Sequence, residues 1–205
     1  VLPASPTFLN LLLMSDSHKK YDLSSLRMIT YGTESMPESL LIKLRNNFKR
    51  AKFLQTFGTS ETGIAQMRSK SSESTLMKFD DPNLEHKIIN GKLFLRSSTQ
   101  ISGYLNASMD SFDSEGWFDT GDLAEETEGG YIKIIGRSKE VINVGGEKVL
   151  PNEVETVLLE IECVDDCIVY GKSNPIMGQS VNADVVMNIQ LSNREARKLV
   201  KNYCI

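Results

Sequence analysis

Two short apolar runs, LRMITYG at Leu26–Gly32 and AKFLQTF at Ala51–Phe57, bracket the segment PESLLIKLRNNF, and each run breaks off into small polar residues. That alternation constrains the fold more than any other feature of the 205 residues. Both runs have strand length, whereas Leu40, Leu41, Leu44 and Phe48 recur at helical spacing. Pro37 stands near the helix start, where its missing N–H leaves nothing unsatisfied. Strand, polar turn, helix, strand, polar turn is an α/β rhythm, and open α/β sheets hold ligands at the turns that follow their strand ends. The second of those turns lies in QTFGTSETG, Gln55–Gly63. Upstream, FLNLLLM at Phe8–Met14 predicts a buried helix; it is about half a membrane span and lacks a basic flank, so no transmembrane segment is expected.

The pattern changes after Ser69. SKSSESTLMKFDDPN is loop-like, and the runs that follow alternate at strand period: KLFLR at Lys92–Arg96, then GYLN, GWFDTGDLAEETEGG and YIKII. Glycines at 91, 103, 116, 121, 129 and 130 read as turn residues between short antiparallel strands. A third pattern begins at Gly136: a charged turn, a short strand, a double-glycine turn, and a helix with Val154, Val157, Leu158 and Ile161 on one face. CIVYG and ADVVM predict two more strands, and SNREARKLVKNY a helix opened by a capping box of Ser192 and Glu195. The expected organisation is an α/β part over 1–75, a β-rich part over 76–136 and a small α+β unit over 137–205.

Lys and Arg total 23 against 27 Asp and Glu, a net charge of -4, so the chain carries no basic surplus for a nucleic-acid partner. Cys163, Cys167 and Cys204 match neither a disulfide framework nor a zinc ribbon, which predicts a reducing cytoplasm. His18 and His86 are too few for a histidine metal cluster and read as surface residues.

Three constellations could carry chemistry. FGTSETG joins a ring that can stack on a base, hydroxyls that can donate to phosphate, and a carboxylate that can hold magnesium; an N-capped helix with Thr59 or Ser60 as cap explains the same letters. WFDTGD, Trp117–Asp122, offers an aspartate suited to ribose hydroxyls, or simply a tight Gly–Asp turn. GRSKEVINVGGEKV, Gly136–Val149, offers the fork donor Arg137, Lys139 in a polar turn, and a glycine pair open to close approach; a solvated turn and a hairpin explain it equally well.

Residues 57–63, 117–122 and 136–148, together and in that order, resemble the adenylate-forming enzymes, which include acyl-CoA synthetases, peptide-synthetase adenylation domains and luciferases. ITYGTESMPES and GKLFLRSSTQISGYLN extend the resemblance over nearly the whole chain, on its CoA-ligase side. The fold it implies is part of the family's N-terminal domain, an α/β layer with a β-rich subdomain, followed by a small, truncated α+β C-terminal domain. By position it implies that Thr33, Glu34 and Ser35 lie beside the adenine and acyl pocket and that Phe57 stacks on the purine, with Gly58 and Thr59 in the nucleotide loop. Ser60 would approach the α-phosphate and Glu61 would bind magnesium. Asp122 and Arg137 would grip the ribose, Lys139 would mark the hinge of the C-terminal domain, Gly145 and Gly146 would face the CoA arm, and Lys148 would sit near the phosphates.

The implied reaction has two steps: a carboxylate attacks the α-phosphate of ATP to give an acyl-adenylate and pyrophosphate, then the CoA thiol takes the acyl group and AMP leaves. Partners would be a small-molecule carboxylate, ATP and CoA, with Mg2+ and AMP in the cycle. The family's phosphate loop would lie upstream of Val1 and its catalytic lysine beyond Ile205, and Asn143 stands where some relatives carry lysine. The chain is therefore expected to be the central and C-terminal portion of a longer synthetase, inactive alone and prone to self-association through surfaces the rest would cover. The alternatives are an adenylation domain that loads a carrier-protein thiol, and a non-catalytic nucleotide-binding or scaffold protein of the same fold.

Overall fold

The computed structural model describes residues 1–204. The chain opens with β1 (Leu2–Ala4), α1 (Pro6–Met14), α2 (Ser17–Lys20), β2 (Met28–Tyr31), α3 (Glu38–Asn47) and β3 (Lys52–Gln55). The strands form a parallel sheet in the order β1-β2-β3, with Leu2 opposite Ile29 and Met28 opposite Lys52. Parallel pairing requires a crossover, and α3 supplies it, burying Leu40, Leu41 and Leu44 against Ile29, Tyr31 and Phe53 as its spacing predicts.

Helix α1 is capped by the Ser5 hydroxyl, which accepts from Phe8 N–H at 3.1 Å. The expectation that it is buried holds for one stripe only. Leu9 is fully buried, whereas Phe8 and Leu11 are 50% and 53% exposed. A nine-residue helix apolar on most sides offers more surface than a three-stranded sheet and α3 can cover.

A two-stranded hairpin, β4 (Gly58–Thr59) and β5 (Gly63–Ile64), leads into the β-rich part. There β6 (Met67–Ser69), β7 (Met77–Phe79), β8 (Leu84–Ile89), β9 (Lys92–Ser97), β10 (Phe118–Thr127) and β11 (Tyr131–Arg137) form a sheet in the order β6-β7-β11-β10-β9-β8. All its pairings are antiparallel. Its buried face is set by alternation, with Leu93 and Leu95 of β9 meeting Ala124 and Ile132.

The last part contains β12 (Ile142–Val144), β13 (Glu147–Val149), α4 (Pro151–Leu158), β14 (Val164–Asn174), β15 (Gly178–Met187) and α5 (Asn193–Tyr203). The sheet order is β13-β12-β15-β14, and Ile142, Leu158, Ile161, Val164 and Val169 make the core. The capping box at Ser192 and Glu195 forms in both directions. Val157, expected on the buried face of α4, is 36% exposed.

Neither histidine is a plain surface residue. His18 bonds the Leu12 carbonyl and Asn47 Oδ1 at 3.2 and 3.0 Å. His86 lies 4.9 Å, ring to ring, from Phe79, and burial draws its pKa below the usual imidazole value. The three cysteines are unpaired, and no helix among the described residues is long and apolar enough to cross a membrane.

Candidate active site

A cleft of about 1220 Å³ opens where the three parts of the chain meet. Its first wall comes from the ends of β2 and β3. Thr56 N–H donates to the Tyr31 carbonyl at 2.7 Å, and a Cβ on Gly32 would stand 2.5 Å from the Thr56 carbonyl oxygen. Only glycine permits that pinch, which leaves the residues beyond each strand end on the cleft.

Thr33 takes a left-handed backbone, φ 70°, and its hydroxyl donates to the Gly32 carbonyl at 2.5 Å. Glu34 is committed to the start of α1: its Oε2 accepts from Thr7 N–H at 3.0 Å and from the Thr7 hydroxyl at 2.5 Å. Ser35 accepts from Asn152 Nδ2 at 2.9 Å across the cleft. Phe57 is half-buried on the cleft wall, braced edge-on by Phe79 with centroids 5.9 Å apart.

The helix that could have followed Phe57 does not form. Thr59 Oγ1 accepts from Thr62 N–H at 3.0 Å, the bond an N-cap makes to the third helical residue, yet Gly63 at φ 81° turns the chain back into β5. Gly58 and Thr59 line the cleft. Ser60 and Glu61 occupy the turn of this hairpin, outside the cleft lining: Ser60 is exposed, and Glu61 Oε1 accepts from the Tyr104 hydroxyl at 2.8 Å.

The opposite wall carries Asp122 and Arg137, paired across β10 and β11. WFDTGD is not a turn. It runs into strand β10 with an irregularity between Asp119 and Leu123, centred on Gly121 at φ 73°. The bulge lets the Thr120 hydroxyl bond the Leu93 carbonyl at 2.9 Å and accept from Asp122 N–H at 3.1 Å. Asp122 is 5% exposed, and Arg137 Nε lies 2.9 Å from its Oδ1. Burial pushes the Asp122 carboxyl above the ordinary aspartate value, while Arg137 and the Thr120 hydroxyl pull it down.

Lys139 is exposed on the cleft rim, in the turn closed by Glu140 N–H on the Arg137 carbonyl at 3.1 Å. Gly145, Gly146 and Lys148 lie outside the cleft, on the exposed β12–β13 hairpin. Both glycines have positive φ, and Gly145 N–H donates to the Met177 carbonyl at 2.8 Å. The structure thus gathers Thr33, Glu34, Ser35, Phe57, Gly58, Thr59, Asp122, Arg137 and Lys139 around one cavity.

The sequence reading missed Tyr104, Asn152 and Glu155. Asn152 carries the cross-cleft bond. Glu155 lines the cleft with its carboxyl raised by burial and one oxygen 2.8 Å from Val169 N–H. None of the three has a local signal, because each is defined by a partner far along the chain or by the cleft itself.

The family described as AMP-binding enzyme matches residues 1–101. Among curated proteins, the chain is similar to a probable CoA ligase of Humulus lupulus, 33% identical over 206 residues that cover 90% of this chain and 37% of the relative. It is also similar to 2-succinylbenzoate–CoA ligase of Staphylococcus epidermidis, 31% identical over 72% of this chain and 34% of the relative. The amide bond synthetase of Marinactinospora thermotolerans superposes with TM-score 0.79 at 25% identity, over 98% of this chain and 44% of that one. The o-succinylbenzoate CoA synthetase of Bacillus subtilis, solved with its acyl-adenylate intermediate, gives 0.76 at 26%, over 98% and 43%. The chain spans little more than a third of the curated relatives it matches.

Proposed function

The chain belongs to the adenylate-forming enzyme superfamily, and on that premise we propose that it supplies the adenosine-binding cleft of an ATP-dependent carboxylate–CoA ligase. The observation that carries the reading is the convergence of Phe57, Asp122 and Arg137, up to 80 residues apart in sequence, on one cavity. Phe57 offers a ring face to a purine, and Asp122 offers carboxylate acceptors to ribose hydroxyls beside a cationic donor. Thr33 and Ser35 line the same wall, with Lys139 at the rim where the small unit joins the sheet.

The carboxylate substrate is already ionised at neutral pH, so the first step needs charge neutralisation at the phosphate rather than a protein base. Ser60 and the exposed Lys148 are the polar and cationic side chains assigned to that end of the nucleotide, and Gly145 and Gly146 the turn assigned to CoA. Magnesium, when bound, would offset phosphate charge. Its fit rests on Glu61, since a magnesium ion is commonly held by one or two carboxylates plus substrate phosphates. The unpaired cysteines fit a reducing cytoplasm, and the exposed Phe8 and Leu11 would favour self-association.

Calorimetric titration with a non-hydrolysable acyl-adenylate analogue tests the reading. Saturable binding that weakens at least tenfold in both Phe57→Ala and Asp122→Ala is expected. Equal affinity in the parent and both variants would place the nucleotide elsewhere.

A further inference from the structure

Glu61 is held by a residue that has no assigned role. The Tyr104 hydroxyl donates to Glu61 Oε1 at 2.8 Å, and the two segments are joined a second time by Ile101 N–H on the Glu61 carbonyl, also 2.8 Å. Both side chains are half-buried, so the phenol crosses a gap whose backbone walls are already tied together. Among the described residues this is the one side-chain hydrogen bond that Glu61 makes, and it forms no ion pair. Oε1 therefore has a partner and Oε2 has none.

A glutamate on an open turn samples many rotamers, and a ligand that needs one of them must overcome that entropy. A donor on one oxygen selects a rotamer before the ligand arrives and leaves the other oxygen to coordinate, as partners beyond the metal shell do for ligating carboxylates. We propose that Tyr104 is a positioning residue that presents Glu61 Oε2 to a nucleotide-borne divalent cation. The inference rests on the reading of Glu61 as the carboxylate that meets the metal. It assigns the Tyr104 hydroxyl a task that the ring alone could not perform.

The test is the affinity of the chain for AMPPNP by calorimetry, once in EDTA and once in Mn2+, the ratio of the two giving the gain due to the metal. Glu61→Gln should abolish the gain. Tyr104→Phe, which keeps the ring, should cut the gain about tenfold and leave the affinity in EDTA unchanged. If Glu61→Gln removes the gain while Tyr104→Phe keeps or increases it, Tyr104 does not position the carboxylate and the inference fails alone. If Glu61→Gln keeps the gain, or the parent shows none, the reading of Glu61 fails and the inference falls with it. Loss of affinity in EDTA by Tyr104→Phe would make the tyrosine a structural residue and also overturn the proposal.

Discussion

The Asp122 side chain is 7% exposed, while its ion-pair partner Arg137, 2.9 Å away, is 55% exposed. A buried carboxylate paired with a solvated guanidinium is an unequal match: the acid bears the desolvation, and the base keeps most of its water.

That inequality fixes a sign. Burial raises the Asp122 carboxyl above 3.8, so between 3.8 and the raised value the folded chain holds a proton that the unfolded chain has released. Stability from this group is fully present below 3.8 and is lost as pH climbs through the window. Asp122→Asn should therefore melt later than the parent at pH 7 and match it near pH 3, with about 2–4 °C for each kcal/mol gained. The same variant should bind nucleotide more weakly, so calorimetry and thermal melts would move in opposite directions.

Two glycines should respond differently to the same methyl group. A Cβ on Gly32 meets the backbone oxygen of Thr56 at 2.5 Å, whereas a Cβ on Gly145 meets the mobile end of the Met177 side chain at the same distance. Gly32→Ala must spread β2 from β3 and should cost about 3 kcal/mol or more, at the upper end of overpacking effects. Gly145→Ala can turn Met177 aside and should cost about 1 kcal/mol, chiefly for its positive φ. Urea denaturation of both variants checks the order, and equal losses would contradict it.

His86 supplies the acid-side counterpart. Burial lowers its pKa, with Lys78 acting in the same direction and Glu126 against it. As pH falls below 6.5 the unfolded chain takes up a proton that the folded one resists, so stability declines until the native imidazole also charges. His86→Phe keeps a ring on Phe79 and should flatten the urea midpoint between pH 7 and 5. A parent-like slope would place the titration elsewhere.

The elements legible in the sequence were those whose signal is local. Apolar period placed β2, α3 and β3, and the Ser192–Glu195 pair placed α5, because spacing and a cap act within a few residues. The turn at Thr59 shows the limit: its hydroxyl makes the bond a helix cap would make, and the pairing of Gly58 with Ile64 decides against the helix. Asp122 likewise reads as a turn until β9 and β11 close on either side and leave a bulge. The Tyr104–Glu61 bond spans 43 residues and has no periodicity to betray it. Family resemblance supplied roles for Phe57, Asp122 and Arg137 that spacing alone left open.

Among the described residues, two side-chain hydrogen bonds join the last part of the chain directly to the first: Asn152 to Ser35 at 2.9 Å and Asn10 to the Asp165 carbonyl at 3.2 Å. Both are uncharged, and together such bonds contribute about 1–3 kcal/mol. The packing of α4 on β11 and the Ser138 N–H bond to the Gly121 carbonyl at 2.9 Å also hold the last part, through the β-rich part rather than through the first. A ligand can move the last part against the first only by as much as its affinities for the two arrangements differ, and the direct polar ties it would have to replace are few, so such a shift need not unfold either core.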